Sequence, residues 1–211
     1  MSSNHAAAPI NPVDRWNSRF SEDGYLFGTE PNAWLREHAH HFSRGQRVLS
    51  VADGDGRNSV WLASQGLQVD AFDFSAVGVT KARQLAASRG VSVNFCVSDA
   101  DSYAWPQALL DGVAAIFVQF ADPAMRSRLF ANMVASLKPG GTLILQGYTQ
   151  RQLVYKTGGP SEPSHLYSEA LLRESFQGLE ILQLREYEAE LSEGTAHSGQ
   201  SALIGLVARK R

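Results

Sequence analysis

The apolar residues of this chain alternate between two spacings from Arg47 onward. Short, nearly continuous apolar runs are typical of strands that are buried on both faces of a sheet. Such runs are RVLSVA, LQVDAFDF, VSVNFCVSD, GVAAIFVQF and TLILQGY. Several of them are separated by longer segments that predict helices, with Ser75 and Asp122 as N-cap residues. This alternation predicts a parallel sheet that is covered by helices on both faces.

The last quarter of the chain has a different pattern. Two long strand-like segments, LEILQLREYEAEL and SALIGLVARK, are separated only by the polar SEGTAHSGQ, which is too short for a crossover helix. An antiparallel hairpin is therefore expected. Together these patterns predict an α/β fold with a doubly wound, mostly parallel seven-stranded sheet and an antiparallel last strand. We expect a flexible N-terminal tail over residues 1–14 and a single domain over residues 15–211.

Composition narrows the class of protein. The 211 residues have a formal net charge of −2 and no basic block, so a nucleic-acid partner is not expected. No apolar run is long enough to span a membrane and no signal-peptide pattern is present, so we expect a soluble cytoplasmic protein without a membrane partner. A monomer or weak dimer is expected. The single cysteine, Cys96, lies in the apolar VNFCV, which predicts a buried thiol.

A cluster of histidines, HAHH, raises the question of a metal. His38 and His41 would share one face of a helix, but no Cys, Asp or Glu completes a ligand set, so no metal site is expected.

The candidate chemistry lies in the segment SVADGDGRNSVWLASQG. Gly54 and Gly56 follow the first predicted strand and precede a predicted helix, where doubly wound sheets bind their ligands. Asp73 ends the second predicted strand, and an acid at this place can accept hydrogen bonds from both ribose hydroxyls. The pattern favours nucleoside binding, and an ordinary tight turn is the alternative.

The acids beside the glycines favour one nucleoside over another. Ser59 replaces the third glycine of a dinucleotide-binding motif, and Asp53 and Asp55 would repel a pyrophosphate. S-adenosylmethionine (SAM) has no phosphate and carries an ammonium and a sulfonium, which carboxylates attract. SAM is therefore the predicted cofactor, in preference to a nicotinamide dinucleotide.

These residues resemble the class I SAM-dependent methyltransferases, in particular the small bacterial branch related to tellurite-resistance and thiopurine methyltransferases. The resemblance covers about residues 15–210 and rests on RWNSRFSEDGYLFGTEPNAWL, GDGRNSVWLASQG, VDAFDFSAVGVTKA, LKPGG, LVYKTGGP and EGTAHSG. It implies a Rossmann-like methyltransferase fold. The chain departs from the family at Ser50, where an acid is usual, and at Ala52, where the first glycine is usual. We infer that Asp53 replaces the missing acid at the SAM ammonium.

The resemblance also implies a role for each cofactor-binding residue. The implied contacts are Gly54 and Gly56 with the methionine part, Asp73 with the ribose, Phe74 with the adenine ring, Asp99 and the adjacent Ala100 with the adenine amino group, and Gln119 with the sulfonium.

Three further residues are candidates for the methyl-transfer step. His197 lies in the polar segment between the last two strands and is a candidate base or recognition donor, with a solvent-exposed loop histidine as the alternative. Tyr148 comes at the end of the fifth predicted strand, and it is expected either to contact substrate or to pack within the protein. Arg57 begins the first helix after the glycines, where it binds a carboxylate of a ligand or forms a structural ion pair.

The predicted function is methyl transfer from SAM to a small-molecule acceptor, such as a thiol or other soft nucleophile. The alternative is a SAM- or nucleoside-binding sensor or partner protein without turnover.

Overall fold

The computed structural model describes residues 11–211, and within them one seven-stranded sheet is flanked by helices. The strands are β1 (Arg47–Val51), β2 (Gln68–Asp73), β3 (Asn94–Val97), β4 (Leu110–Ile116), β5 (Leu137–Tyr148), β6 (Leu179–Glu193) and β7 (His197–Lys210). The α-helices are α1 (Pro12–Ser21), α2 (Ala33–His38), α3 (Arg57–Ser64), α4 (Ala76–Ser88), α5 (Pro123–Ser136), α6 (Gln152–Tyr155) and α7 (Glu169–Ser175). Short 3-10 helices span Ala39–His41 and Pro163–His165.

The strand order is β3-β2-β1-β4-β5-β7-β6. Strands β1 to β5 pair in parallel, whereas β7 runs antiparallel between β5 and β6. This confirms the predicted α/β fold with an antiparallel end. The direction of strand succession reverses between β1 and β4, and the carboxyl ends of strands beside such a reversal are where doubly wound sheets bind ligands.

Local signals in the sequence set the helix starts. The Ser75 side chain accepts a hydrogen bond from the Gly78 nitrogen at 3.0 Å, and α4 begins at the next residue. The Asp122 side chain accepts from the Met125 nitrogen at 2.8 Å, with Pro123 at the first helical position. Each cap satisfies a backbone N–H that has no partner within its helix.

The predicted N-terminal tail needs a correction. Residues 1–10 lie outside the described part of the chain, but Pro12 to Asp14 form the first turn of α1 instead of a tail. The Asn11 side chain accepts a hydrogen bond from the Val13 nitrogen at 3.0 Å, and Pro12 fits the first helical position because its missing N–H would be unpaired there. Phe20 of the same helix is buried.

Two further expectations also change. The hairpin between β6 and β7 has a loop of only residues 194–196, so His197 begins β7 and is buried instead of lying in an exposed loop. Cys96 is exposed, because β3 is the edge strand of the sheet and is only partly covered. The apolar run around Cys96 therefore predicted a strand correctly, but it did not show that this strand lies at the edge of the sheet.

No helix within residues 11–211 combines the length and apolar character needed to cross a membrane. The same residues bring together no group of three or more His, Cys, Asp or Glu side chains that could hold a metal ion.

Candidate functional site

A cavity of about 560 Å³ lies at the carboxyl ends of β1, β2, β4 and β5. Its walls come from α1, the turn between β1 and α3, the end of β2, the segment after β4, the loop after α6, and the β6–β7 hairpin. This volume lies within the range of about 300–1,000 Å³ that is typical of small-molecule sites. The cavity brings together most of the site residues expected from the sequence: Asp53, Gly54, Arg57, Asp73, Phe74, Gln119, Tyr148 and His197. Gly56, Asp99 and Ala100 do not line it.

Asp73 links the end of β2 to the glycine turn. One of its carboxylate oxygens accepts a hydrogen bond from the Gly54 nitrogen at 2.9 Å, and the other accepts from the Ser75 nitrogen at 2.8 Å. Burial raises the pKa of Asp73 to about 6, against the effect of these two hydrogen bonds. The negative charges of Asp53 and Asp55 raise it further.

The two acids of the glycine turn have different surroundings. The Asp53 carboxylate accepts hydrogen bonds from the hydroxyls of Ser50 and Ser59 and lines the cavity. Asp55 is fully buried behind the turn, where one oxygen accepts from the Leu26 nitrogen at 2.8 Å and the other has no partner among the described residues. Burial raises the pKa of Asp53, and it raises that of Asp55 to about 6. Asp55 and Asp73 are thus buried, and Asp53 is half-buried at the same turn.

The two glycines of the turn have different structural roles. Gly54 lines the cavity, and a Cβ added there would lie 3.1 Å from the ring of Phe20 on α1. Gly56 has a φ of +97° and packs against α4, since an added Cβ would lie 2.7 Å from the Cα of Ala82. Gly56 therefore has a packing role between α3 and α4, and its contact with a ligand stays a prediction.

The two residues that were expected at the adenine amino group, Asp99 and Ala100, are not among the lining residues of the cavity. Asp99 is exposed, and its carboxylate accepts hydrogen bonds from the nitrogens of Asp101 and Ser102 at 2.9 and 2.7 Å. Ala100 is buried in the core, and its carbonyl accepts from the Trp105 indole at 2.8 Å. Asp99 thus closes a turn after the edge strand β3.

Gln119 lines the cavity, but its side-chain amide is occupied by the protein. Its oxygen accepts from the Tyr148 nitrogen at 2.6 Å, and its nitrogen donates to the carbonyls of Tyr148 and His165 at 2.9 and 3.0 Å. Gln119 therefore holds the end of β5 and the 3-10 segment beside it in place.

Glu193 is a central residue that the sequence interpretation did not single out. Arg57 donates a hydrogen bond to its carboxylate at 2.8 Å, and both side chains are almost completely buried. Burial by itself would raise the pKa of Glu193, but the neighbouring His197 and Arg57 outweigh this effect and lower the pKa to about 2. The ion pair is the structural alternative that was considered for Arg57. The only signal for Glu193 was its place in the EGTAHSG motif, four residues before His197.

Tyr148 and His197 form one end of the cavity with two unpaired polar groups. The Tyr148 hydroxyl and the His197 Nδ1 atom are buried and make no hydrogen bond within residues 11–211. His197 Nδ1 lies 3.5 Å from the Glu193 carboxylate without hydrogen-bond geometry. Burial raises the pKa of Tyr148 and lowers that of His197, so both side chains are neutral near pH 7.

Phe117 joins these two side chains. Its ring centroid lies 4.6 Å from that of Tyr148 and 4.4 Å from that of His197. Its backbone has a φ of +56°, a strained value for a residue with a large side chain. Strain of this type concentrates at functional sites. The sequence carried no signal for it, because the apolar run GVAAIFVQF predicted that the strand continues through Phe117, whereas β4 ends at Ile116.

Known proteins with similar sequences include methyltransferases. Residues 48–141 match a sequence family described as a methyltransferase domain. A demethylmenaquinone methyltransferase from Renibacterium salmoninarum is 32% identical over 129 residues, which are 61% of this chain and 49% of that protein. This chain thus spans about half the length, or less, of the curated relatives that it matches.

Solved structures share the fold. The N-methyltransferase NodS from Bradyrhizobium japonicum, in complex with S-adenosyl-L-homocysteine (SAH), has a TM-score of 0.71 at 14% identity over 95% of this chain and 99% of that chain. TehB from Haemophilus influenzae has a TM-score of 0.70 at 17% identity over 94% of this chain and 67% of that chain.

Proposed function

We propose that this chain, whose residues 48–141 match a methyltransferase domain, transfers the methyl group of SAM to a small-molecule acceptor with a soft nucleophile, in the first place a thiol. One observation carries the proposal. A single cavity joins the acidic glycine turn at Asp53 and Asp73 to two buried polar atoms, the Tyr148 hydroxyl and His197 Nδ1, which make no hydrogen bond within the described part of the chain. The first part suits a cationic nucleoside, and the second suits a polar acceptor.

The cluster of Asp53, Asp55 and Asp73 fits SAM. Burial raises the pKa values of all three carboxylates, and the negative charge of Asp53 adds to the rise for Asp55 and Asp73. A bound cation favours the charged forms of these groups. Arg57 lies beside the turn, but Glu193 already neutralises it. A ligand that brings its own positive charge is therefore favoured over one that brings a pyrophosphate.

Individual residues of the turn would hold parts of the cofactor. Asp73 keeps lone pairs for the ribose hydroxyls beyond those used by Gly54 and Ser75. Gly54 allows the ligand to approach the backbone closely. Phe74 lines the cavity beside Asp73 and supplies an aromatic face for the adenine.

When bound, SAM supplies an electrophilic methyl carbon on a sulfonium. The protein aligns the acceptor with this carbon, and the aromatic side chains around His197 exclude water. The neutral imidazole of His197 would accept the proton of a thiol acceptor, while the methyl carbon would pass from the sulfonium to the thiol sulfur and leave SAH as the thioether product. Glu193, 3.5 Å away, favours the resulting imidazolium.

Further observations support the finer parts of the proposal. The relation to tellurite-resistance and thiopurine methyltransferases is supported by the fold shared with TehB and by the quoted sequence motifs. A small acceptor is favoured over nucleic acid because the net charge is −2 and the basic residues are dispersed. We further propose a cytoplasmic monomer or weak dimer.

Calorimetry and a labelled-methyl assay test the proposal together. SAM and SAH are titrated into the wild type, Asp73→Asn and the control Asp70→Asn, which changes the same residue type on β2 outside the cavity. We expect Asp73→Asn to weaken SAM binding by about 10- to 100-fold, as for loss of a charge-assisted hydrogen bond. The control should bind as the wild type does. Labelled methyl transfer is then measured with aromatic thiols and, in parallel, with RNA.

The outcomes separate the candidate functions. Absence of SAM binding by the wild type overturns the proposal. Transfer to RNA alone replaces the small acceptor. Binding without transfer to any acceptor supports a sensor or partner protein, a second candidate that is motivated by Ser50 and by Ala52 in the turn, whose φ is +49°.

A further inference from the structure

Two arginines of α1 line the cavity without a counter-ion. Arg15 and Arg19 are four residues apart, so they lie on one face of the helix, and both border the cavity. Neither forms an ion pair within residues 11–211. Residues 1–10 contain neither Asp nor Glu, so they bring no acidic side chain. We call Arg15 and Arg19 the α1 arginine pair.

Arg19 of this pair contacts an aromatic ring. The guanidinium carbon of Arg19 lies 4.5 Å from the ring centroid of Trp16, which also lines the cavity. Burial lowers the pKa of Arg19, the positive charge of Arg15 lowers it further, and the negative charge of Glu22 opposes the two effects without reversing them. Two like charges at the edge of a partly buried site are unfavourable, and a bound anion reverses this effect.

The charges of the cavity are distributed unequally. Asp53 and Asp73 lie at the glycine turn. Arg57 is neutralised by Glu193 at 2.8 Å, so the uncompensated positive charge among the lining residues belongs to the α1 arginine pair. Arg19 lies over the ring of Trp16, whose centroid is 6.2 Å from that of Phe27, and the Phe27 centroid is 4.6 Å from that of His197. This chain of contacts places Arg19 on the side of the cavity that holds His197.

We propose that the α1 arginine pair binds a carboxylate or phosphate group of the methyl acceptor, so that the substrate is an organic anion. This inference rests on the proposed function. Guanidinium groups match such oxyanions with paired hydrogen bonds. Phe27 and Phe117, whose centroids lie 4.6 and 4.4 Å from that of His197, provide apolar walls for the rest of the molecule. The acceptor is thus an apolar, ring-sized molecule with an anionic group.

Calorimetry on the SAH-saturated protein tests this inference without turnover. The probes are benzoate with its neutral analogue benzamide, and phenyl phosphate with phenol. We expect the wild type to prefer each anion by at least about tenfold, and the Arg15→Gln/Arg19→Gln variant to lose this preference. Arg19→Lys keeps the charge without the planar fork and should lie between the two. Arg173→Gln removes an exposed arginine from α7, outside the cavity, and should bind as the wild type does.

Each result decides the matter. A wild type that binds no anion more tightly than its neutral analogue overturns the inference, as does a double variant that keeps the preference. If the double variant loses SAH affinity and the anion preference stays, the pair serves the carboxylate of the cofactor instead. Failure of the proposed function shows itself separately, as absence of SAH binding by the wild type.

Discussion

The guanidinium of Arg57 donates a hydrogen bond of 2.8 Å to the carboxylate of Glu193. The pair joins the first residue of α3 to the last residue of β6, elements that are far apart in the chain. The exposed fractions of the two side chains are 5% and 11%, so water does little to screen the contact. Asn32 donates a further hydrogen bond of 2.9 Å to Glu193. The hairpin that carries His197 is thereby fixed relative to the glycine turn.

Replacement of Glu193 by Gln is expected to destabilise the protein by about 3–5 kcal/mol at pH 7, because it leaves Arg57 as an uncompensated buried charge. The pKa of Glu193 is lowered from 4.5 to about 2 in the folded protein. Its stabilising effect is therefore fully present above pH 4.5 and is lost as the pH falls towards 2. Urea unfolding of wild type and variant at several pH values between 2 and 7 measures this.

Glu190→Gln is the matched control, since Glu190 lies three residues earlier on the same strand with an exposed side chain. Its unfolding free energy should stay within about 0.5 kcal/mol of the wild type. Equal effects of the two substitutions would contradict a special role of the Arg57–Glu193 pair.

Asp55→Asn should stabilise the ligand-free protein at neutral pH. Burial raises the pKa of Asp55 from 3.8 to about 6, so its charged form is unfavourable in the fold, and the cost develops as the pH rises through this interval. The gain from Asn should be about 1–3 kcal/mol at pH 7.5 and should shrink as the pH falls below 6. Asn still accepts the hydrogen bond from Leu26. Thermal unfolding at pH 7.5 and 4.5 provides the comparison.

The exposed Asp23 on the loop after α1 provides the control variant, Asp23→Asn, whose stability difference from the wild type should be small at both pH values. If the increase in stability of Asp55→Asn did not depend on pH, ionisation of the Asp55 carboxylate would not be the cause of the destabilisation.

The fold and the position of the site could be predicted from local patterns. Apolar runs gave the strands, and Ser75 and Asp122 gave two helix starts, because each signal acts over a few residues. Gly54 and Asp73 were predicted to lie at one ligand site, and the structure joins them with a hydrogen bond of 2.9 Å. This prediction was possible because the carboxyl ends of adjacent parallel strands share one edge of the sheet.

Long-range pairing could not be predicted in this way. Glu193 and Arg57 meet only because the hairpin returns over the glycine turn, and no local pattern encodes that distance. Asp99 follows a strand that looks buried in the sequence, yet β3 lies at the sheet edge and leaves it exposed. The sequence predicted that the side chain of Gln119 contacts a ligand. In the structure its amide instead forms hydrogen bonds with the backbone of Tyr148.

Tyr148→Phe should separate stability from activity. The Tyr148 hydroxyl is buried without a hydrogen bond within the described residues, so its removal should be neutral or stabilise the protein by about 1 kcal/mol. If the hydroxyl contacts the acceptor, kcat/KM should fall by about tenfold or more. Tyr167→Phe is the control, because Tyr167 also has a buried, unpaired hydroxyl but does not line the cavity. Both variants should unfold alike, and only Tyr148→Phe should lose activity; an equal loss in both would argue against substrate contact.

Ala52→Gly tests whether the strained turn limits cofactor binding. Ala52 and Ala108 both have a φ of +49°, an unfavourable value for alanine, but only Ala52 lines the cavity. Relief of this strain, about 1–2 kcal/mol, is partly cancelled by the greater freedom of glycine in the unfolded chain. Both glycine variants should therefore gain similar, small amounts of stability in urea unfolding. Only Ala52→Gly should bind SAM more tightly, by no more than about tenfold, because the missing Cβ lets the ligand approach the turn. Equal SAM affinity in wild type and Ala52→Gly would show that the ligand does not press against this part of the backbone.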